Sequence, residues 1–230
     1  MHVPGSTTHA PTTLSKRSVI ESAKMILLVV LVVIAARSTV QTFRVDGQSM
    51  EATLHANQYV LINKLAFVDF DVNILARWLP GKHTLPPRVV YPFGAPQRGD
   101  VVVFDAPRSA YEEQRQYIKR IIGLPGETIH IKNGSVYING VQLHEAYVRE
   151  PITCEGANAD NPGLCEPYVV PTGTVVVLGD HRSQSVDSRN WHAQPGLALD
   201  RVVGKAWISV WSHHRWSVLP VPMYANDQNR

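Results

Sequence analysis

Most features that mark a common enzyme or binding class are missing from this 230-residue chain. Charge is sparse: Asp, Glu, Lys and Arg make up 18% of it, and 22 basic against 19 acidic residues leave +3. The basic residues form no stripe and do not interleave with aromatics, which excludes the usual footprint of a nucleic-acid binder. Ten histidines occur, yet there is no HExxH and no pair in a metal-ligand context. His213 and His214, near Trp211 and Trp216, read as surface residues. There is no G-x-S-x-G elbow and no phosphate loop. Cysteine is limited to Cys154 and Cys165, whose spacing fits no zinc pattern. No segment repeats, and helical periodicity is scarce beyond residue 43. No cofactor, no metal and no nucleic-acid partner are expected.

What is present begins with one long apolar run. Residues 1–17, rich in Thr, Ser and Pro, carry no apolar period and are expected to be a disordered tail. The strictly uncharged stretch Met25–Ala36 is too short, at ~1.5 Å per residue, to cross a hydrocarbon core of roughly 30 Å. A span over residues 18–43 would suffice, with the Lys24 and Arg37 side chains snorkelling toward the head groups. Taken alone, the run fits a cleaved signal peptide and an uncleaved anchor equally well. Lys16, Arg17 and Lys24 precede it and Arg37 follows. That bias points to a cytoplasmic N-terminus, with residues 44–230 on the outer face of a cell membrane. An outside location suits a disulfide between Cys154 and Cys165, which would order the polar loop between them by up to ~3 kcal/mol. Two unpaired loop thiols are the alternative.

The remainder reads as mainly β, an antiparallel-sheet domain with long loops, working as a monomer. VLI at 60–62, VVVF at 101–104, YIKRII at 117–122, TIHI at 128–131, SVYI at 135–138 and TVVVL at 174–178 are β-branched or aromatic-rich. Asn133-Gly134 predicts a hairpin joining the fourth and fifth of these. Residues 65–97 differ: Phe67, Phe70, Ile74, Leu75 and Trp78 have helical spacing. The segment is either a loop or short helix packed on the domain or an element at the membrane surface.

In three segments polar residues interrupt apolar ones. FRVDGQSMEATL (43–54) holds Ser49 behind a glycine and reads, by itself, as a turn. In QYIKRIIGLPGE (116–127), period-2 alternation sets Lys119 on one face and Arg120 on the other. Either a cation is buried there or the strand is an edge with both cations in water. GDHRSQSVDSRNW (179–191) follows an apolar strand and reads as a loop held by Asp–Arg pairs.

Together these segments resemble the type I signal peptidase family. Ser49-Met50 with Thr53-Leu54 looks like its serine box, and Arg98-Gly99-Asp100 before VVVF looks like its second box. YIKRIIGLPGE matches its lysine box nearly residue for residue, and GDHRSQSVDSR is similar to its last box. The likeness runs in order from about residue 18 to about 211, and it favours an anchor over a cleaved signal. Two departures stand out: Ala52 where proline is usual, which would loosen the turn, and His181 where asparagine is usual, which would alter a loop contact.

The resemblance implies a membrane-bound serine endopeptidase that cleaves signal peptides of exported preproteins at Ala-x-Ala type sites. In it, Ser49 attacks the scissile carbonyl and Lys119 is the base. Ser185 would hydrogen-bond the Lys119 amine, and Asp187 with Arg189 would fix the Ser185 loop. The Ser49 backbone N–H would hold the oxyanion. Relatives often add a hydroxyl two residues earlier, but here that position is Gly47. Asp46, Gly47, Gln48 and Met50, together with Tyr117 and Ile118, would line an extended substrate added to exposed strand edges. The chemistry is consistent: a lysine is protonated at neutral pH unless burial lowers its pKa, and the isoleucines around Lys119 offer such burial. Rival readings are a specialised precursor peptidase, an inactive binding domain and a repressor-cleaving Ser-Lys protease.

Overall fold

The computed structural model describes residues 16–74, 76–79, 84–86, 88–107, 116–154, 163–191, 194–210 and 216–224. Residues 1–15, which carry most of the expected tail, and His213 and His214 lie outside these. The chain divides into two compact units, one ending at Ser38 and the other beginning at Thr39.

The first unit is helix α1, Lys16–Thr39. Lys16 and Arg17 therefore belong to the helix and not to a tail. Within it, Val19–Thr39 is long and apolar enough to cross a membrane. Its 21 residues would rise about 31 Å, close to the hydrocarbon thickness of roughly 30 Å. Its run of Val, Ile and Leu is a modest helix former in water. In lipid, a helix satisfies every backbone group within the segment. The expected span to Phe43 is too long by four residues: Val40–Arg44 is a strand, paired antiparallel with Tyr59–Asn63. The β-branched Val40 and Thr42 suit that role better than a fifth helical turn.

The second unit is built from antiparallel sheets. Its strands, among the described residues, are β1 (Val40–Arg44), β2 (Tyr59–Asn63), β3 (Phe70–Asp71), β4 (Val89–Val90), β5 (Val101–Asp105), β6 (Gln116–Gly123) and β7 (Thr128–Lys132). They continue with β8 (Ser135–Ile138), β9 (Val141–Gln142), β10 (Tyr168–Val169), β11 (Thr174–Leu178), β12 (Leu197–Ala198), β13 (Val202–Val210) and β14 (Trp216–Val218). The main sheet runs β1-β2-β13-β5-β6-β11-β12, with β14 also paired to β13, and a smaller sheet runs β10-β7-β8-β9. All six strands read from the sequence are present. The β7–β8 hairpin turns on Asn133 and Gly134, both at positive φ as a tight two-residue turn demands.

The central strand β13 is the one the sequence hides, because Gly204 and Lys205 break its apolar pattern. Gly204 sits where a Cβ would fall 2.4 Å from the Asn63 carbonyl oxygen, so only glycine lets β13 approach β2 this closely. The segment at 65–97 is also different. Expected as a loop or short helix on the domain or as a membrane-surface element, it holds among its described residues the β3–β4 ribbon and a 3-10 turn at Ala76–Trp78, with Phe70, Ile74 and Trp78 exposed. Phe67 packs on the core, but Phe70, Ile74 and Trp78 stay exposed, so packing does not enforce a helix over their spacing.

The apolar core forms on both faces of the main sheet. One cluster holds Val45, Met50, Leu54, Val101, Val103 and Ile118. Another holds Val102, Phe104, Ile121, Val175, Val177 and Trp191. Strand β6 lies between them, and every residue from Ile118 to Gly123 is buried. The edge-strand reading of YIKRII is thus excluded, and both of its cations are inside.

Candidate active site

The site starts where β1 ends. Val45 and Met50 are buried in the same apolar cluster and pin both ends of a short exposed bend, Asp46-Gly47-Gln48. Gly47 takes φ +114°, a backbone conformation that side chains rarely adopt. The turn is closed by the Glu51 N–H on the Gln48 carbonyl at 3.0 Å and the Leu54 N–H on the Met50 carbonyl at 2.6 Å. Ser49 is left half-buried at the apex. Its own N–H donates to no group among the described residues.

Strand β6 brings the second residue. Lys119, only 2% exposed, places its Nζ 2.8 Å from Ser49 Oγ and 3.0 Å from the Ile118 carbonyl oxygen. The amine also lies 5.3 Å from the centre of the Tyr117 ring. No carboxylate among the described residues forms an ion pair with it. Burial lowers its pKa to about 8, while the charges of Asp187 and Asp180 act against that fall and Arg189 adds to it. The disfavour for the charged form amounts to roughly 3 kcal/mol.

The third element is the loop after β11. Asp187 is wholly buried and pairs with Arg189, Oδ1 to Nε at 2.9 Å. Burial pushes the Asp187 carboxyl up, but hydrogen bonds and charge from Arg189, with the Gly179 N–H and the Ser185 hydroxyl, outweigh it and hold the pKa below the usual value. Arg189 also donates to the carbonyls of Arg182, Ser185 and Thr153, which ties the loop together. Ser185 corrects an expectation. Its hydroxyl donates to Asp187 Oδ2 at 2.7 Å, while the Lys119 amine donates to Ser49 Oγ and the Ile118 carbonyl. Thr153, a carbonyl partner of Arg189, precedes Cys154, which is bonded to Cys165 with their Cα atoms 5.5 Å apart.

Met50 corrects another. Its side chain is fully buried in the core and offers no surface to a substrate. Tyr117 is half-buried and Ile118 buried. Strand β11 joins β6 only from Arg120 onward, so the Gln116–Lys119 part of β6 lies beyond the end of β11. That stretch runs beside Ser49.

Three groups escaped the sequence reading. Arg120 makes a two-point ion pair with Asp180, 2.8 and 2.6 Å, and a 2.8 Å hydrogen bond to the Gly99 carbonyl. Thr53 donates to the same Asp180 carboxylate and accepts from Arg120. Gly179 lies so close under the site that a Cβ there would fall 2.2 Å from Ser185 Oγ and 2.6 Å from the Ser49 carbonyl oxygen. The signal was present for the ion pair, since a buried Arg needs a nearby carboxylate, but the separation of 60 residues between Arg120 and Asp180 gave no register.

A hydroxyl beside an amine that burial holds partly neutral is the chemistry of a serine hydrolase. The comparison with known proteins makes the class specific. The family described as signal peptidase, peptidase S26, matches residues 19–211, and this chain belongs to it. Signal peptidase I of Pseudomonas aeruginosa is 33% identical over 87% of this chain and 76% of its own length. Signal peptidase I T of Bacillus subtilis is 32% identical over 80% of this chain and 81% of its own. Signal peptidase I of Leptolyngbya laminosa is 34% identical over 65% and 75%.

Proposed function

We propose that this chain is a membrane-anchored endopeptidase that removes N-terminal signal peptides after small residues, with Ser49 as nucleophile and Lys119 as base. The observation that carries the reading is the 2.8 Å approach of a buried lysine amine to Ser49 Oγ, with no ion-pair partner for that amine among the described residues. A lysine with pKa about 8 is neutral in roughly a tenth of molecules at neutral pH, enough to supply a base.

In the first step Ser49 Oγ attacks the scissile carbonyl and its proton passes to Lys119 Nζ. The oxyanion is held by the Ser49 N–H, with no side-chain hydroxyl at Gly47 to help. Lys119 then gives the proton to the leaving amine, and the acyl-enzyme forms. Water, deprotonated by the same amine, releases the signal peptide. Asp187 and Arg189 position the loop that packs against this pair.

The substrate would add as a strand beside Gln116–Ile118 and the bend at Asp46–Gln48, where β11 no longer covers β6. Small residues at −3 and −1 would enter shallow apolar pockets. Helix α1 would hold the domain at the membrane, N-terminus inside, and the exposed Phe70 and Trp78 would sit at the head-group level. The test is cleavage of a preprotein by wild type, Ser49→Ala and Lys119→Ala in detergent or vesicles. Both variants are expected to lose at least about 10³-fold in rate. Near-wild-type activity in either one rejects the assignment.

A further inference from the structure

A pocket of about 180 Å³ opens beside the nucleophile, lined by Glu51, Ala52, Arg149, Glu150, Asp180 and His181. None of these residues comes from the bend at 46–48 or from Gln116–Ile118, the two segments that flank the acyl side of the proposed substrate. The pocket thus draws its walls from the residues that follow Ser49 in the chain, from Arg149-Glu150 and from the loop after β11. It is also tied to the nucleophile directly: the His181 N–H donates to the Ser49 carbonyl at 3.0 Å, and His181 Nδ1 lies 3.3 Å from the Gln48 carbonyl oxygen.

We infer that this pocket is a subsite for the leaving side of the substrate, taking one large side chain from the first two residues of the released chain. The inference rests on the reading of Ser49 as the nucleophile. Ala52 has the smallest side chain of the six lining residues, and His181 sets a ring beside it. A proline ring at 52 would fill space that the alanine methyl leaves open. The Ala52 N–H donates to no group among the described residues, so a proline there would break no hydrogen bond. Of the charged walls, the three carboxylates are committed, whereas the Arg149 side chain pairs with no group among the described residues. The Asp180 carboxylate is taken by Arg120 and Thr53. Glu150 is fixed by the Ser183 N–H at 2.7 Å and the Ser183 hydroxyl at 2.8 Å. Those bonds, the N–H first, hold its carboxyl below the usual range. Glu51 carries His55 at 2.7 Å. What remains for an incoming side chain is the Ala52 methyl, the face of the His181 ring, whose Nε2 lies 3.7 Å from Glu150, and the Arg149 guanidinium, a surface that suits an aromatic or long side chain.

The experiment uses the full chain in detergent with two preprotein series. In one, the first residue after the scissile bond is Gly, Ala, Leu or Tyr. In the other, the second residue is varied likewise. Wild type is expected to cleave the Leu and Tyr substrates at least as well as the Gly substrate. Ala52→Pro, and independently Ala52→Val, should lower the large-to-small ratio of kcat/KM by roughly tenfold at one of the two positions. Two replacements are used so that misfolding of the proline variant does not decide the matter. An unchanged ratio in either folded variant overturns the subsite. Ser49→Ala run in parallel separates the two readings. If it stays active the catalytic assignment fails, whereas an inactive Ser49→Ala with unchanged ratios rejects the pocket alone.

Discussion

Lys119 and Arg120 are neighbours on β6, both nearly inaccessible to solvent, and the fold treats their charges in opposite ways. Arg120 meets Asp180 at two points, Gly99 through its carbonyl, and the Tyr147 ring 4.5 Å away. Burial alone would pull its pKa down, but Asp180 more than reverses this and raises it. Lys119 donates to a hydroxyl and a carbonyl and pairs with no anion among the described residues, so burial dominates and its pKa falls. The lesson is that burial does not by itself set a charge state. The position of the nearest carboxylate does, and a one-residue step along a strand changes the face and therefore the partner. The paired cation holds structure together. The unpaired one gives up stability and gains a lone pair.

The comparison breaks most completely if Lys119 is made to resemble its neighbour. Lys119→Arg keeps a cation but cannot shed the proton, so preprotein cleavage should fall by at least about 10³-fold. Wild-type rates from that variant would show that no neutral base is needed at this position. Next is the converse, stripping Arg120 of its anion. Asp180→Asn leaves a buried guanidinium without its counter-charge and should lower unfolding free energy by about 3–5 kcal/mol in urea titrations. A loss under ~1 kcal/mol would mean that water or another group replaces Asp180.

Lys119→Met tests the stability given up at the active residue. It should abolish cleavage yet raise stability near neutral pH by up to roughly 3 kcal/mol. The sign follows from linkage. The folded pKa of about 8 lies below the ordinary 10.5, so the unfolded chain binds more protons between these values, and wild-type stability rises with pH across that window. The gain from Lys119→Met should therefore shrink from pH 8 to 10.5 and vanish above it. A gain independent of pH would place its origin in packing. The smallest effect is a shift of the activity profile. Wild-type kcat/KM should rise with pH toward a limb near 8. Asp187→Asn removes a charge that raises the Lys119 pKa and leaves Arg189, which lowers it, so the limb should move to lower pH. A limb that stays or moves up would remove Asp187 from the electrostatics of the site.

Much of the molecule was legible because it is local. The β-branched runs at 60–62, 101–104 and 174–178 carry their own preference for strands, and Asn133-Gly134 carries its own turn. Strand β1 was not legible, since Val40–Phe43 mixes apolar and polar residues directly after the helix, and only the pairing with β2 decides where helix gives way to sheet. Strand β13 was hidden because its Gly204 is chosen by a neighbour distant in sequence, the Asn63 carbonyl. Ser185 was expected to bond the Lys119 amine, but its hydroxyl donates to Asp187. Which group lies within its reach is set by packing alone.

By itself, the sequence determined a long apolar N-terminal helix, a mainly antiparallel β domain, and the family to which Ser49, Lys119 and the 179–189 loop belong. Each of these is written in residue type and short spacing. Tertiary structure alone decided that Lys119 is buried without an anion while Arg120 has Asp180, and that Ala52 and His181, 129 positions apart by number, line one pocket. Charge state and cavity shape are set through space, by groups from several strands at once, and no local pattern encodes them.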